Sequence, residues 1–296
     1  MKNNLVNFHP TNYFMQNTTR RDFLKKSSLA TAGLFLATPE WFKKHAIGVQ
    51  LYTLRDLMRQ DPEGTLSKVA SLGYSEVEAF GYNNGKFFER NPADYLALLR
   101  KYDLKQPSGH YGLAHINKGW DKAIEDAKAV GQKFMVIAYL TDAERKSLDD
   151  YKKHAATFNE AARKCKSAGI QFAYHNHDFE FKDWNGQTGM DVLLNETDKD
   201  LVKFEMDIYW VKKAGKDPIA LFDQHKHRFC LWHVKDMDNT DKKFFTEVGN
   251  GVIDFKQIFK NAKKSGMRHF FVEQDVSANP LASIEKSINY IKSNLV

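Results

Sequence analysis

From residue 46 onward, short apolar runs rich in β-branched and aromatic residues alternate with segments whose apolar positions recur every three or four residues, and the alternation can be counted eight times. The runs predict strands at residues 47–53 (IGVQLYT), 74–80 (YSEVEAF), 105–112 (KQPSGHYG), 133–140 (KFMVIAYL), 170–177 (IQFAYHNH), 202–210 (VKFEMDIYW), 229–236 (FCLWHVKD) and 269–275 (HFFVEQD). Between them PEGTLSKVASLG, PADYLALLRKYDL, GWDKAIEDAKAVG, SLDDYKKHAATFNEAARKCKSAG, DFKQIFKNAKKSG and PLASIEKSINYIKS read as amphipathic helices, and a short fifth crossover falls in residues 187–196. Gly73, Gly131, Gly169 and Gly266 stand where these helices end, the place for a left-handed residue. Eight strand–helix units predict an α/β fold, a single (β/α)8 TIM barrel over residues 46–296 with no second domain.

Composition changes the picture mainly at the start of the chain. The sequence is 42% hydrophobic but has no apolar run of 18 or more residues, so no membrane span is expected. In TTRRDFLKK, residues Arg20, Arg21, Phe23, Leu24 and Lys25 precede the short apolar stretch SSLATAGLFLA, a pattern that resembles a twin-arginine export signal. Residues 1–45 are therefore expected to be signal and linker, with translation starting at Met1 or at Met15 and a periplasmic mature protein. They hold seven Lys/Arg and two Asp/Glu, a net of +5 out of +7, which leaves +2 for the rest. The basic balance belongs mostly to the leader and is no argument for nucleic acid. Cys165 and Cys230 fall in different units and read as separate core residues, without a disulfide.

The candidate chemistry lies in the second half. His175, Asp207, His233 and Glu273 occur one per predicted strand, 32, 26 and 40 residues apart, so a parallel barrel brings all four to one rim. Alternation puts His177, Lys235 and Asp275 on the same faces as His175, His233 and Glu273. A lone strand-end Asp or His is commonly a helix cap or a hydrogen-bonded core residue. Four on successive apolar strands are harder to explain so, because each buried ionisable group costs several kcal/mol unless paired or metal-bound. Glu78 and His110 end the second and third strands, and Tyr52, Tyr209 and Trp210 stand near strand ends, where aromatic rings can stack on a sugar. In EVGNGVIDF the glycines make a tight turn and Asp254 caps the next helix; a phosphate cradle is the lesser reading.

The segments GVQLYTLRD, LGYSEVEAFG, YHNHDFEF, MDIYWV, WHVKD, EVGNGVIDF and VEQD, in this order across residues 47–275, resemble the xylose isomerase-like sugar phosphate isomerase/epimerase superfamily of TIM barrels. The resemblance implies one divalent ion held by a Glu, an Asp, a His and a second Glu from strands five to eight. Asp207, His233 and Glu273 match these positions, and His175 stands in the place of the first Glu. In such enzymes the two glutamates exchange protons with opposite faces of the substrate; here only Glu273 remains. Trp210 occupies a position often held by a substrate-binding His.

The expected function is metal-dependent sugar isomerisation or epimerisation through a metal-stabilised enediolate. Glu273 is the expected base, His110 and Lys235 its catalytic partners, and Glu78, Asn176, His177 and Trp210 the substrate contacts. Two imidazoles with two carboxylates favour Mn, Fe, Co or Zn over Mg. Loss of a β-substituent from the same enediolate makes a keto-glycoside lyase or hydrolase the alternative, and a non-catalytic sugar-binding barrel a third possibility. The expected partner is a small sugar or keto-sugar glycoside. The near-neutral mature charge and the export signal argue against a DNA-repair endonuclease on this fold.

Overall fold

All eight apolar runs become strands, and backbone pairing closes them into one ring. The computed structural model describes residues 46–296; the expected twin-arginine segment, with Met15, Arg20 and Arg21, lies outside the described residues. The ring consists of β1 (Gly48–Gln50), β2 (Glu76–Ala79), β3 (Lys105–Tyr111), β4 (Phe134–Ile137), β5 (Gln171–His175), β6 (Val202–Asp207), β7 (Phe229–Val234) and β10 (His269–Val272), in the order β1-β10-β7-β6-β5-β4-β3-β2. Every pairing in it is parallel. β8 (Asp236–Met237) and β9 (Phe245–Thr246) form a separate antiparallel pair beyond β7.

Helices fill the crossovers as the periodicity predicts, the longest being Leu148–Ser167, which opens on a reciprocal cap between Ser147 and Asp150. The four helix-ending glycines all have positive φ, from 78° to 93°. Three expectations are corrected. The strand predicted over 47–53 stops at Gln50, where the 3-10 turn Leu51–Leu54 begins. The strand predicted over 202–210 stops at Asp207, because the Asp207 side chain accepts from Trp210 N and starts the helix Ile208–Lys213; a second helix, Pro218–Gln224, completes that crossover. The helix predicted over 254–266 is two, Phe255–Lys260 and Ala262–Ser265, divided at Asn261.

The main apolar core lies between strands and helices, while a small separate cluster of Phe134, Val136, Ala173, Cys230, Leu231 and Phe271 is contributed by β4, β5, β7 and β10. Gly48 makes room for it, since a Cβ there would stand 2.4 Å from the Phe271 ring. Alternation then places His175, His233 and Glu273 one step further along the same faces as Ala173, Leu231 and Phe271. The apolar filling stops about halfway, and polar side chains take over toward the C-terminal rim. Cys165 and Cys230 are both buried and unpaired.

The EVGNGVIDF turn has a different role from a phosphate cradle. Asp236 Oδ1 accepts from Met237 N and Ile253 N (2.8 and 3.2 Å), and Oδ2 from Gly249 N and Gly251 N (2.9 and 3.1 Å). The protein's own carboxylate thus occupies the backbone donors. A Cβ at Gly251 would meet Met237 O at 2.2 Å, so this close wrap requires glycine. Asp254 caps the following helix through Gln257 N, as expected. Asp236→Ala leaves four inward-turned N–H groups without their acceptor, and we expect a loss of about 3 kcal/mol, read from the denaturant midpoint at unchanged slope. A loss under about 1 kcal/mol would show that water replaces the carboxylate.

Candidate metal and sugar site

At the C-terminal rim β5, β6, β7 and β10 bring His175, Asp207, His233 and Glu273 together, all buried, with one potential ligand atom from each lying within 4.8 Å of the others. The pairing register sets part of this, since Asp207 is directly opposite His233. His175 Nδ1 lies 3.2 Å from the Ala138 carbonyl oxygen, which only accepts, so Nδ1 carries the proton. Burial and then the charge of His233 push the His175 pKa well below its ordinary value, so the ring is neutral and Nε2 presents a lone pair. That Nε2 has no hydrogen-bond partner among the described residues and lies 3.5 Å from Asp207 Oδ2. A buried lone pair facing a carboxylate oxygen is an arrangement that a cation between them would satisfy, and the four residues fit a divalent ion.

His233 joins this group to a second one deeper in the barrel. Its Nδ1 is 2.8 Å from Glu273 Oε2 and its Nε2 2.6 Å from Glu78 Oε2. Burial opposes the charged ring, but Glu205 and Glu273 outweigh it and raise the His233 pKa well above the usual value. Glu78 is fixed by Gln50 (2.7 Å) and Ser108 (2.5 Å). Glu205 Oε2 lies 2.7 Å from His110 Nε2 and 3.3 Å from His233 Nε2. Burial and the nearby Glu78 push Glu205 up to about 7. Glu78 goes the other way: burial would raise it, but the charges of His110 and His233 hold it below the usual range.

Lys235 is buried among three carboxylates: Asp207 Oδ2 at 2.9 Å, Glu273 Oε2 at 2.8 Å and Asp275 Oδ1 at 2.9 Å. Burial disfavours the ammonium, yet Asp207, Asp275 and Glu273 together raise its pKa well above normal. Burial likewise opposes the Glu273 carboxylate, and Lys235 and His233 hold its pKa well below normal. The same two carboxylates, Asp207 and Glu273, therefore serve Lys235 and the group suited to an ion.

A cavity of about 590 Å³ opens above these groups, lined among others by His110, His175, His177, Lys235, Glu273 and Asp275. The expected substrate contacts divide. His177 lines the cavity, with burial and Lys235 pushing its pKa down to about 3. Three others lie away from the cavity lining. Asn176 is buried, with its Oδ1 accepting from Asp207 N at 3.2 Å, so it ties β5 to β6. Glu78 is sealed behind His233. Trp210 packs beside His177 (5.5 Å between ring centroids) and under Lys235, outside the cavity lining, and Tyr209 is buried. Glu205 was missed, although it stands two residues before Asp207 and alternation alone puts it on the same face.

A family model described as xylose isomerase-like TIM barrel matches residues 66–294, and the chain belongs to that family. Among curated relatives, the inosose dehydratase of Lacticaseibacillus casei is 26% identical over 167 residues, which are 50% of this chain and 55% of that protein. The inosose dehydratase of Geobacillus kaustophilus (strain HTA426) is 24% identical over 277 residues, 76% of this chain and 85% of that one. The chain thus spans about half the length of the first of these relatives and most of the second. A sugar phosphate isomerase/epimerase from Parabacteroides distasonis ATCC 8503 superposes with TM-score 0.74 at 29% identity, covering 90% of this chain and 98% of that one. The IolI protein, solved with a bound zinc atom, shares the fold at TM-score 0.65 and 15% identity, covering 84% of this chain and 96% of its own. Among the described residues no helix is long and apolar enough to cross a membrane.

Proposed function

We propose that this chain is a metal-dependent enzyme that removes a proton from the carbon next to the carbonyl of a neutral sugar or keto-sugar glycoside. The observation that carries the reading is the His175 lone pair facing Asp207 across 3.5 Å with no partner. His175, Asp207, His233 and Glu273 hold the ion, whose two nitrogen and two oxygen donors suit Mn, Fe, Co or Zn better than Mg. When bound, it supplies positive charge that polarises the substrate carbonyl. Glu273, which reaches the cavity, takes the carbon-bound proton, and the Lys235 ammonium beside it offsets negative charge developing on the substrate.

The place of the family's other glutamate is taken by His175, so the second proton-transfer group comes from another strand. His110 lines the cavity, and its Nε2 is fixed by Glu205 and Glu78 (2.7 and 3.3 Å). It is the group positioned to return or relay the proton, with Glu205 orienting the ring as a carboxylate orients a catalytic histidine.

Proton removal leads to two outcomes. Reprotonation gives an isomerase or epimerase, in keeping with the Parabacteroides distasonis structure. Loss of a β-substituent gives a lyase, and the likeness to proteins named inosose dehydratases favours it. The test is proton NMR of metal-loaded protein in heavy water with a panel of aldoses, ketoses and 3-keto-glycosides. Deuterium entering beside the carbonyl of an intact sugar marks the isomerase, and release of the aglycone the lyase. A full panel with neither would make the chain a binding barrel and end the enzymatic proposal.

We also propose that the barrel of residues 46–296 is exported by the twin-arginine route to the periplasm, on the strength of Arg20, Arg21, Phe23, Leu24 and Lys25. Changing Arg20 and Arg21 to Lys is expected to keep the protein in the cytoplasm, as read by cell fractionation. Periplasmic arrival of that double variant would remove the export proposal.

A further inference from the structure

Five large apolar side chains stay exposed among the described residues, and three of them, Tyr52 (40%), Tyr139 (44%) and Val276 (49%), line the one cavity that holds the candidate site. Leaving apolar surface in water is unfavourable, so its concentration at a single mouth points to a ligand that covers it. Both rings are held in place. Tyr52 sits edge-on to Phe80 at 5.5 Å, with the Arg55 guanidinium 4.5 Å over its ring, and Arg55 is itself anchored by the carbonyls of Tyr52 and Asp275 (3.1 and 2.8 Å). Tyr139 sits edge-on to Phe179 at 5.4 Å, and Arg145 stacks on Phe179 at 3.6 Å while donating to the Tyr139 hydroxyl at 3.4 Å. Rigid, partly open aromatic rings bind flat partners at little entropic cost.

Most polar groups of the cavity lie at its base, in His110, His175, His177, Lys235, Glu273 and Asp275, whereas its rim is Tyr52, Phe80, Ala138, Tyr139 and Val276 with two glycines and Arg55. We infer that the rim is a subsite for a flat apolar ring, the aglycone of a glycoside whose sugar lies over the base of the cavity. A second sugar ring would bring hydroxyls to a rim whose side-chain polar groups, among the described residues, are two phenols and the Arg55 guanidinium held by the carbonyls of Tyr52 and Asp275. The assignment of the sugar to the base rests on the proposed function; the apolar preference of the rim stands on its own observations.

The test measures binding without turnover, by calorimetric titration of the purified protein with phenyl β-glucoside, methyl β-glucoside and cellobiose. The phenyl compound is expected to bind at least about tenfold more tightly than the methyl compound, the effect of burying one aromatic ring. In the double variant Tyr52→Ala/Tyr139→Ala the phenyl-to-methyl ratio should fall toward one, and in Tyr52→Phe/Tyr139→Phe it should persist, because the ring and not the hydroxyl makes the subsite. Equal binding of the two monosides, tighter binding of cellobiose than of the phenyl compound, or a ratio unchanged in the alanine variant would each overturn the subsite. The phenylalanine variant and the wild-type ratio keep the test decisive if the alanine variant does not fold. Failure of proton exchange in heavy water would instead overturn the catalytic proposal and leave the rim's preference intact.

Discussion

Glu273→Gln is expected to slow exchange of the substrate's carbon-bound proton by about 10²- to 10⁴-fold, the usual cost of removing a general base. The amide keeps the shape and one oxygen for an ion, so metal content measured by elemental analysis should fall only modestly. The structure adds a reason for a steep kinetic effect. Glu273 Oε2 is 2.8 Å from both Lys235 Nζ and His233 Nδ1, so neutralising it also removes the carboxylate charge that the buried Lys235 ammonium and the His233 ring share. Exchange at the wild-type rate with metal fully bound would reduce Glu273 to a ligand and move the base to His110, His177 or Lys235.

His233→Ala should be the most damaging single change to the fold as well as to metal binding. The ring is fully buried and its two nitrogens face Glu273 on one side and Glu78 and Glu205 on the other. Removing it leaves three buried carboxylates without their shared partner, a loss of about 3–5 kcal/mol by analogy with broken buried ion pairs. For a domain of this size that lowers the melting temperature by roughly 6–20 °C. Adding Glu78→Gln to the alanine variant should recover part of the loss, because one uncompensated charge goes. A melting temperature within about 2 °C of wild type, or undiminished metal affinity, would show that His233 is not the centre of the network.

The repeating unit was readable because it is written in periodicity: eight apolar runs, helices between them and glycines at the helix ends all report local backbone preference. The four candidate ligands were readable because each follows an apolar stretch near the end of its strand, at positions that recur one per strand–helix unit. Depth was not readable in the same way. Glu205 and Ser108 lie one step inside the strand ends, where a sequence scan expects filling by apolar side chains, and nothing local says that Gln50, Ser108 and two histidines will satisfy Glu78 and Glu205. Asn176 and Trp210 lie outside the cavity lining for another reason. Each follows a ligand closely in sequence, but Asn176 lies on the opposite face from His175, and a helix begins after Asp207, turning Trp210 away from the cavity. Tyr139 could not be singled out among so many aromatics until the structure showed it exposed.

Asp207 uses one oxygen for Trp210 N at the head of a helix and turns the other toward His175 and Lys235. Architecture and chemistry therefore draw on a single side chain, and its evolutionary freedom is the intersection of both demands. Glutamate carries the same charge, but its extra methylene displaces both oxygens at once; asparagine keeps the reach and surrenders the charge. No stepwise route through similar residues preserves both roles. The rim tyrosines carry no such double duty, so divergence of this scaffold toward new substrates has its open positions at the mouth and a locked one at the centre.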